Sequence, residues 1–338
     1  VSQTVRAPVM ADVARLAGVS HQTVSRVVND AAHISPETRE KVLDAIERLG
    51  YRPNTSARAL VRGRTGIIGV IATASVEFGP VSIQRTVEQA AAAAGFFPTS
   101  VNLPELSTAA LEQAVDHLRT LGVEAVVMIA GHDEALGIVR AQRTGVPVVV
   151  AQGDLGRDSS GVGVDQWAAA RAVTEHLVGL GHREIVHVSG PLDWAEARAR
   201  LEGWRQAMFD AGLRPASPIT GDWSSESGFR AGLQICQRPE VTAVFAANDQ
   251  IALGLLRALY ECGRTVPGDV SVVGVDDIPE AAYLIPPLTT VRQDFAAVGR
   301  RAIDLVQRLV AGEPAEPVPL LVPELVVRSS TAPPPPLR

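Results

Sequence analysis

The chain has 338 residues, with 31 Lys+Arg against 37 Asp+Glu and a formal net charge of −6. Hydrophobic residues make up 46%, enough for substantial cores, and the length suits two or three domains better than one. No apolar run is long enough for a membrane-spanning helix, and the opening VSQTVRAPVM holds no apolar signal region, so a cytoplasmic, nucleoid-associated protein is expected.

The charge is unevenly spread. Residues 1–66 hold ten Lys+Arg against six Asp+Glu, and the remainder holds 21 against 31. A basic head on an acidic body places the attraction for phosphate at one end. Within that head, Asp12 is expected to cap a first helix whose inner face is Val13, Leu16 and Ala17. Gly18 ends it, and Val19 plugs the turn. Ser20 caps a second helix with Val24, Val27 and Val28 inward. His21, Gln22, Ser25, Arg26 and Asn29 remain on its other face. Gln pairs with adenine and Arg with guanine in the major groove, through the first residues of a recognition helix. His21, Gln22 and Arg26 are therefore expected to read bases, and Ser20, Thr23, Ser25 and Asn29 to hold phosphates. Ser35-Pro36-Glu37 opens a third helix, with Pro in its first position and Val42, Ile46 and Leu49 closing a small core, until Gly50. Asn54 to Leu60 has the length of one short helix, unstable alone in water. The segment Arg62 to Gly66 reads as a basic, Gly-broken linker.

The body alternates apolar runs with amphipathic segments. Strands are expected at IIGVIAT, near Pro98 to Asn102, and at AVVMIA and VPVVVA, with helices near Ser82 to Ala94, Ser107 to Leu121 and Glu134 to Thr144. A second series starts near Gly163. Its helices lie near Gln166 to Leu180, Trp194 to Ala211, Ser224 to Gln237 and Gln250 to Glu261, and its strands are EIVHVSG, a stretch near Ile219, AVFAAN and SVVGVDD. Alternation of this kind implies parallel sheets with helices on both faces. The fold expected is an all-α helix-turn-helix head plus an α/β core of two doubly wound parallel-sheet subdomains. After the strand-like PLLVPELVVRSS comes TAPPPPLR, in which consecutive prolines cannot continue a helical coil.

In open α/β sheets, ligands bind beyond the carboxyl ends of the strands. Gln152 and Asp154 follow VPVVVA, Asn248 and Asp249 follow AVFAA, and Asp276 and Asp277 follow SVVGV. Arg200 lies one helix after VHVSG, and Trp223 follows Asp222. Carboxylates, amides and a guanidinium suit the vicinal hydroxyls of a sugar, and an aromatic face suits its apolar side, in a mostly apolar pocket. His132, His182 and His187 have no metal or triad spacing, no Gly-rich phosphate cradle occurs, and Ser189 has no nucleophile elbow. No cofactor, no metal site and no enzymatic activity are expected. Cys236 and Cys262 form no ligand cluster and are expected to be reduced.

Taken together, DVARLAGVSHQTVSRVVN, ISPETREKV and LGYRPNTSARAL resemble the head of the LacI/GalR family of bacterial repressors. GDWSSESGF, AANDQIALG, SVVGVDDIP and YLIPPLTTVRQDF resemble the lac branch of that family, so the resemblance runs from about Val9 to about Ser330. It implies a head at 1–53, a hinge and linker at 54–66, and an effector-binding core at 67–333, with a tail at 334–338. Within the core, one subdomain takes about 67–163 and 293–322, the other about 164–292 and 323–333. The DNA-facing set extends to His33, Tyr51, Asn54 and Ala57, with Leu60 as a minor-groove wedge in a hinge helix that folds on DNA.

The resemblance also implies that Arg200, Asn248 and Asp276 meet sugar hydroxyls. Trp223 and Phe295 form an aromatic wall with Gln293 nearby, and Phe78, Pro80 and Ile83 pack the aglycone side. Gln152 and Glu196 depart from the lac branch, which carries an aspartate and a small hydroxyl residue there. That difference bears on which epimer is preferred. His21 likewise separates the operator from that of the lac branch. The function implied is a repressor acting as a homodimer on a near-palindromic operator, released by a small saccharide, a galactoside or related glycoside. A purine-type corepressor remains an alternative. A sugar-binding transport protein is disfavoured by the basic head.

Overall fold

The computed structural model describes residues 8–28, 34–52, 64–73, 76–104, 107–129, 131, 145–152, 161–314 and 316–336. It divides into two units, 1–65 and 66–338. In the first, α1 (Met10–Ala17), α2 (His21–Val28) and α3 (Pro36–Leu49) enclose a core of Val13, Ala14, Val24, Val27, Val42, Ala45 and Tyr51. Gly18 ends α1 in the left-handed conformation, at φ 66°. The Ser20 hydroxyl accepts the Thr23 amide at 3.1 Å, and Ser35 caps α3 through the Thr38 amide at 3.2 Å.

Two expectations change here. Asp12 is not the cap of α1: the helix starts at Met10 after Val9, and Asp12, in the third position, takes the Val9 amide at 3.0 Å. A carboxylate in the first turn stabilises the helix from either place. Leu16, expected inward, is 41% exposed, because Val13, Ala14 and Ala17 set the phase of the buried stripe.

The second unit contains two sheets. In the first, β1 (Ile67–Thr73), β2 (Phe97–Leu103), β3 (Ala125–Ile129), β4 (Val148–Ala151) and β5 (Gly161–Val162) run parallel in the order β2-β1-β3-β4-β5. Its alternate residues divide between two cores. Ile68, Val70 and Ala72 meet α4 (Phe78–Ala93) and α10 (Phe295–Val310), whereas Ile71 meets α5 (Thr108–Thr120). The helix expected near Glu134 to Thr144 lies outside the described residues.

The second sheet has the order β11-β10-β9-β8-β6-β7. It comprises β6 (Ile185–Ser189), β7 (Ile219–Thr220), β8 (Ala243–Ala246), β9 (Ser271–Asp276), β10 (Thr289–Arg292) and β11 (Glu324–Val326). Val244 and Ala246 face α8 (Ser225–Cys236) and α9 (Asp249–Glu261), and Phe245 faces α6 (Gln166–Gly179) and α7 (Ala195–Asp210). β11 is antiparallel to β10, so PLLVPELVVRSS contributes a short edge strand to an otherwise parallel sheet. The chain passes between the sheets after β5, after β10 and before β11, where Leu321 bridges Val164.

Cys236 and Cys262, expected to be reduced, are joined by a disulfide with their Cα atoms 6.4 Å apart. The bond links the last residue of α8 to the residue after α9, two helices whose backbones touch. A Cβ on Gly254 would lie 2.5 Å from the Phe229 amide nitrogen and 2.9 Å from the Gly228 carbonyl carbon. Such contact leaves no room for even a methyl group. Gly254→Ala is expected to lower the unfolding free energy by about 1–3 kcal/mol, measured by urea titration. An unchanged midpoint would mean that the helices separate without cost.

Candidate functional site

A cavity of about 650 Å³ opens between the two sheets, at the carboxyl ends of their strands. All eleven residues expected at the ligand site line it: Phe78, Pro80, Ile83, Gln152, Glu196, Arg200, Trp223, Asn248, Asp276, Gln293 and Phe295. Glu77, Gln166 and Trp194, which local sequence pattern did not single out as site residues, line it too. Asp249 and Asp277 follow the same strands without reaching it, and Asp154 lies outside the described residues.

Helix starts place most of these groups. Asn248 caps α9, its Oδ1 accepting the Ile251 amide at 2.8 Å, while its Nδ2 donates to the Trp223 carbonyl at 3.1 Å. Phe295 opens α10, which Asp294 caps through the Ala297 amide at 2.8 Å. The Phe295 ring meets Phe78, the first residue of α4, edge to face at 6.0 Å. Glu196 and Arg200 are one turn apart on α7.

Four non-glycine residues of the described chain have positive φ: Gln152 at 90°, Trp223 at 72°, Asp276 at 122° and Asp277 at 53°. Three of them line the cavity. Such conformations cost free energy and persist only where the surroundings enforce them, which occurs chiefly at functional sites. Gln152 Oε1 and Trp223 Nε1 are moreover buried with no hydrogen-bond partner, a costly condition that an occupant can relieve.

The polar groups form a chain. Arg200 donates to the Ala247 carbonyl at 2.5 Å and to Gln166 Oε1 at 2.9 Å. Gln166 Nε2 donates to Gln293 Oε1 at 2.7 Å, and Gln293 Nε2 to Asp276 Oδ1 at 2.5 Å. Arg200 is buried, which lowers its pKa, and the charges of Asp276, Glu196 and Asp249 oppose that shift. Burial pushes Asp276 up to about 6 against the pull of Arg200. Glu77 is raised by burial and by Asp222. Behind the cavity, Asp249 is pushed up to about 8, by burial first and by Asp276 second. Its carboxylate takes the Thr290 hydroxyl at 2.6 Å and the Ile278 amide at 2.9 Å. Asp277 serves another purpose, pairing with Arg292 at 2.7 Å and Arg328 at 2.6 Å.

The histidines read as structural are built into the core. His187 stacks on Phe245 at 4.4 Å and is depressed to about 3 by burial. His182 is tied to Thr242 and Ser271. His132 lies outside the described residues.

In the head, His21, Gln22 and Arg26 are exposed on one side of α2, with Val24 and Val27 buried on the other. Ser20 is exposed, and Thr23 and Ser25 are half-buried. Tyr51, expected in the DNA-facing set, is 7% exposed and packed into the head's core. Asn29, His33, Asn54, Ala57 and Leu60, and with them the expected hinge helix, lie outside the described residues.

Residues 9–54 match the family of bacterial regulatory proteins designated lacI, and residues 174–331 match the periplasmic binding protein-like domain. The lactose operon repressor of Escherichia coli K12 is 36% identical over 96% of this chain and 90% of its own. The transcriptional regulator CelR of Thermobifida fusca is 35% identical over 96% and 98%. Among solved structures, a lac repressor dimer bound to operator and the anti-inducer ONPF superposes with a TM-score of 0.89, at 35% identity, covering 97% of this chain and all of that one. No helix among the described residues is long and apolar enough to cross a membrane.

Asp249 and Asp276 keep their protons in the folded state over a range where the unfolded chain has lost them. Folding therefore binds protons there, and stability falls as pH rises. For Asp249 the window runs from 3.8 to about 8. The unfolding free energy of wild type, taken relative to Asp249→Asn, is expected to decline from about pH 4 and to level off beyond the folded pKa. Urea titrations across that range test it, and a pH-independent difference would show that this carboxyl titrates alike in both states.

Proposed function

Since this chain belongs to the LacI family of bacterial regulatory proteins, we propose that it is a DNA-binding transcriptional repressor whose operator affinity is lowered by a small saccharide, a galactoside or related glycoside, held in the cavity of its core. The relatives are repressors and regulators of transcription, not enzymes, and the chain is read in the same way. The observation that carries the effector half is the gathering of Gln152, Trp223 and Asp276, all in strained backbone, around one cavity.

Asp276, Asn248 and Arg200 take the sugar hydroxyls. A carboxylate accepts from two hydroxyls, an amide both donates and accepts, and a guanidinium donates. Phe78, Pro80, Ile83 and Phe295 cover the apolar side, Trp223 adds its edge, and Gln293 steadies Asp276. Gln152 and Glu196 set which hydroxyl orientation is accepted. In the head, α2 enters the major groove with His21, Gln22 and Arg26 toward base edges, and Ser20, Thr23 and Ser25 toward phosphates. The working form is a homodimer on a near-palindromic operator, whose two-fold symmetry mirrors that of the protein.

Fluorescence anisotropy on a palindrome from the protein's own promoter region, at fixed salt, tests this. Arg26→Ala is expected to weaken binding about tenfold or more. A panel of galactosides, glucosides and purines is then added. Release by a saccharide is the expected result, and Asp276→Asn should shift the releasing concentration upward by about tenfold or more. Tightening by a purine would replace the inducer with a corepressor. Light scattering is expected to give the mass of a dimer, and a tetramer would refute that assembly.

A further inference from the structure

The aromatic residue placed at the sugar's apolar face by family resemblance, Trp223, has little ring face to offer. The Arg200 guanidinium lies over its ring, 5.6 Å from the centroid. The Gly190 backbone packs so closely against the ring that a Cβ there would sit 2.6 Å from Cε2. The ring of Trp194 meets it at 73°, with centroids 5.6 Å apart, and Trp223 is 6% exposed. A pyranose stacks only on an open ring face, and Trp223 is enclosed on these sides.

Trp194 is differently placed. It is half-buried, lines the same cavity and stands immediately before α7. It also lies where the two sheets' layers touch away from the chain crossovers. The Ala195 amide, at the amino end of α7 in the second layer, donates to the carbonyl of Gly131, just beyond β3 in the first, at 2.9 Å. Gly131 is required there. A Cβ on it would fall 2.6 Å from Cε3 of Trp194 and 2.8 Å from Oε2 of Glu196. One three-residue stretch, Trp194 to Glu196, thus presents an indole and a carboxylate to the cavity and closes a hydrogen bond across the cleft.

Building on the saccharide reading above, we propose that Trp194 is the specificity-determining platform of the cavity: the pyranose of the effector stacks on its indole, beside the Glu196 carboxylate, with the Gly131–Ala195 contact closed. Trp223 then buttresses Trp194 and contributes its edge and N–H. An occupant seated on Trp194 touches the residue next to Ala195, whose amide forms the cross-cleft contact, so occupancy and closure strengthen each other. A ligand without a ring face to stack loses this preference.

The probes are methyl β-D-galactoside, lactose and cellobiose, titrated calorimetrically into the full-length protein. For whichever binds wild type, Trp194→Ala is expected to weaken binding about tenfold, and Trp194→Phe to restore most of it. The effector-dependent change in tryptophan fluorescence should shrink in Trp194→Phe although affinity is kept. Circular dichroism melts verify that each variant is folded. Independently of any sugar, Gly131→Ala should speed hydrogen exchange at the Ala195 amide. Equal affinity of wild type and Trp194→Ala for a sugar that binds would overturn the platform while leaving the saccharide reading intact. Failure of all three sugars to bind wild type would overturn that reading and the platform with it. Unchanged exchange at Ala195 in Gly131→Ala would overturn the cross-cleft contact.

Discussion

A buried carboxyl group organises the strand ends from which the cavity's polar groups project. Asp249 stands in the first turn of α9 and is fully removed from solvent, and burial raises its carboxyl to about 8. It reaches two other elements, taking the Ile278 amide after β9 and the Thr290 hydroxyl of β10. β9 approaches so closely that Gly274 has no room for a side chain beside Asp249. Burying a polar group costs free energy unless it is hydrogen-bonded, and each oxygen of this carboxyl accepts a hydrogen bond. Asp276 ends β9 and Gln293 follows directly from β10, so their positions inherit the geometry that Asp249 imposes.

Backbone strain accompanies this order. Asp276 at φ 122° and Gln152 at 90° turn side chains at strand ends into the cavity rather than along the sheet. Trp223 at 72° does the same just before α8, and Asn248 holds its carbonyl. Each strained residue lies against a hydrogen-bonded or tightly packed neighbour, so the cost of strain is borne by rigid surroundings. The tight approach of α8 and α9 through Gly228 and Gly254 adds to that rigidity. Both helices begin at the cavity, one after Trp223 and the other at Asn248.

Much of this was legible in the sequence, for local reasons. Ser35-Pro36-Glu37 and Gly50 bound α3 through side chains and φ values that act within a few residues, and the head's helices follow from period alone. Continuous apolar runs marked the buried parallel strands. What escaped depends on distant partners. Trp194 precedes an ordinary amphipathic helix, and its importance comes from Gly131, more than sixty residues earlier. Gln166 reads as a helix start, yet it bridges Arg200 and Gln293. The pairing of Cys236 with Cys262 depends on the close packing of α8 and α9, invisible in either segment. By contrast, β10 and α10 carry local signals of their own. Thr289–Arg292 is a short, mostly β-branched run beside the helical period of Phe295–Val310.

The same distant contacts determine how an occupant can change the protein. A ligand moves a conformational equilibrium only by its difference in affinity between two states. An occupant held by one wall would bind alike at any angle between the layers. Here Gln152 comes from the first layer, Arg200, Asn248 and Asp276 from the second, and Gln293 from the crossover between them. Asp276 Oδ1 already accepts from Gln293, and Gln293 is tied through Gln166 to Arg200. An occupant that competes for Asp276 Oδ1 therefore acts on the crossover itself. Substitution of Gln166, which links Arg200 to Gln293, should alter the response to a ligand while the proposed sugar contacts Arg200, Asn248 and Asp276 stay in place, because it changes the difference between the two states rather than either wall alone.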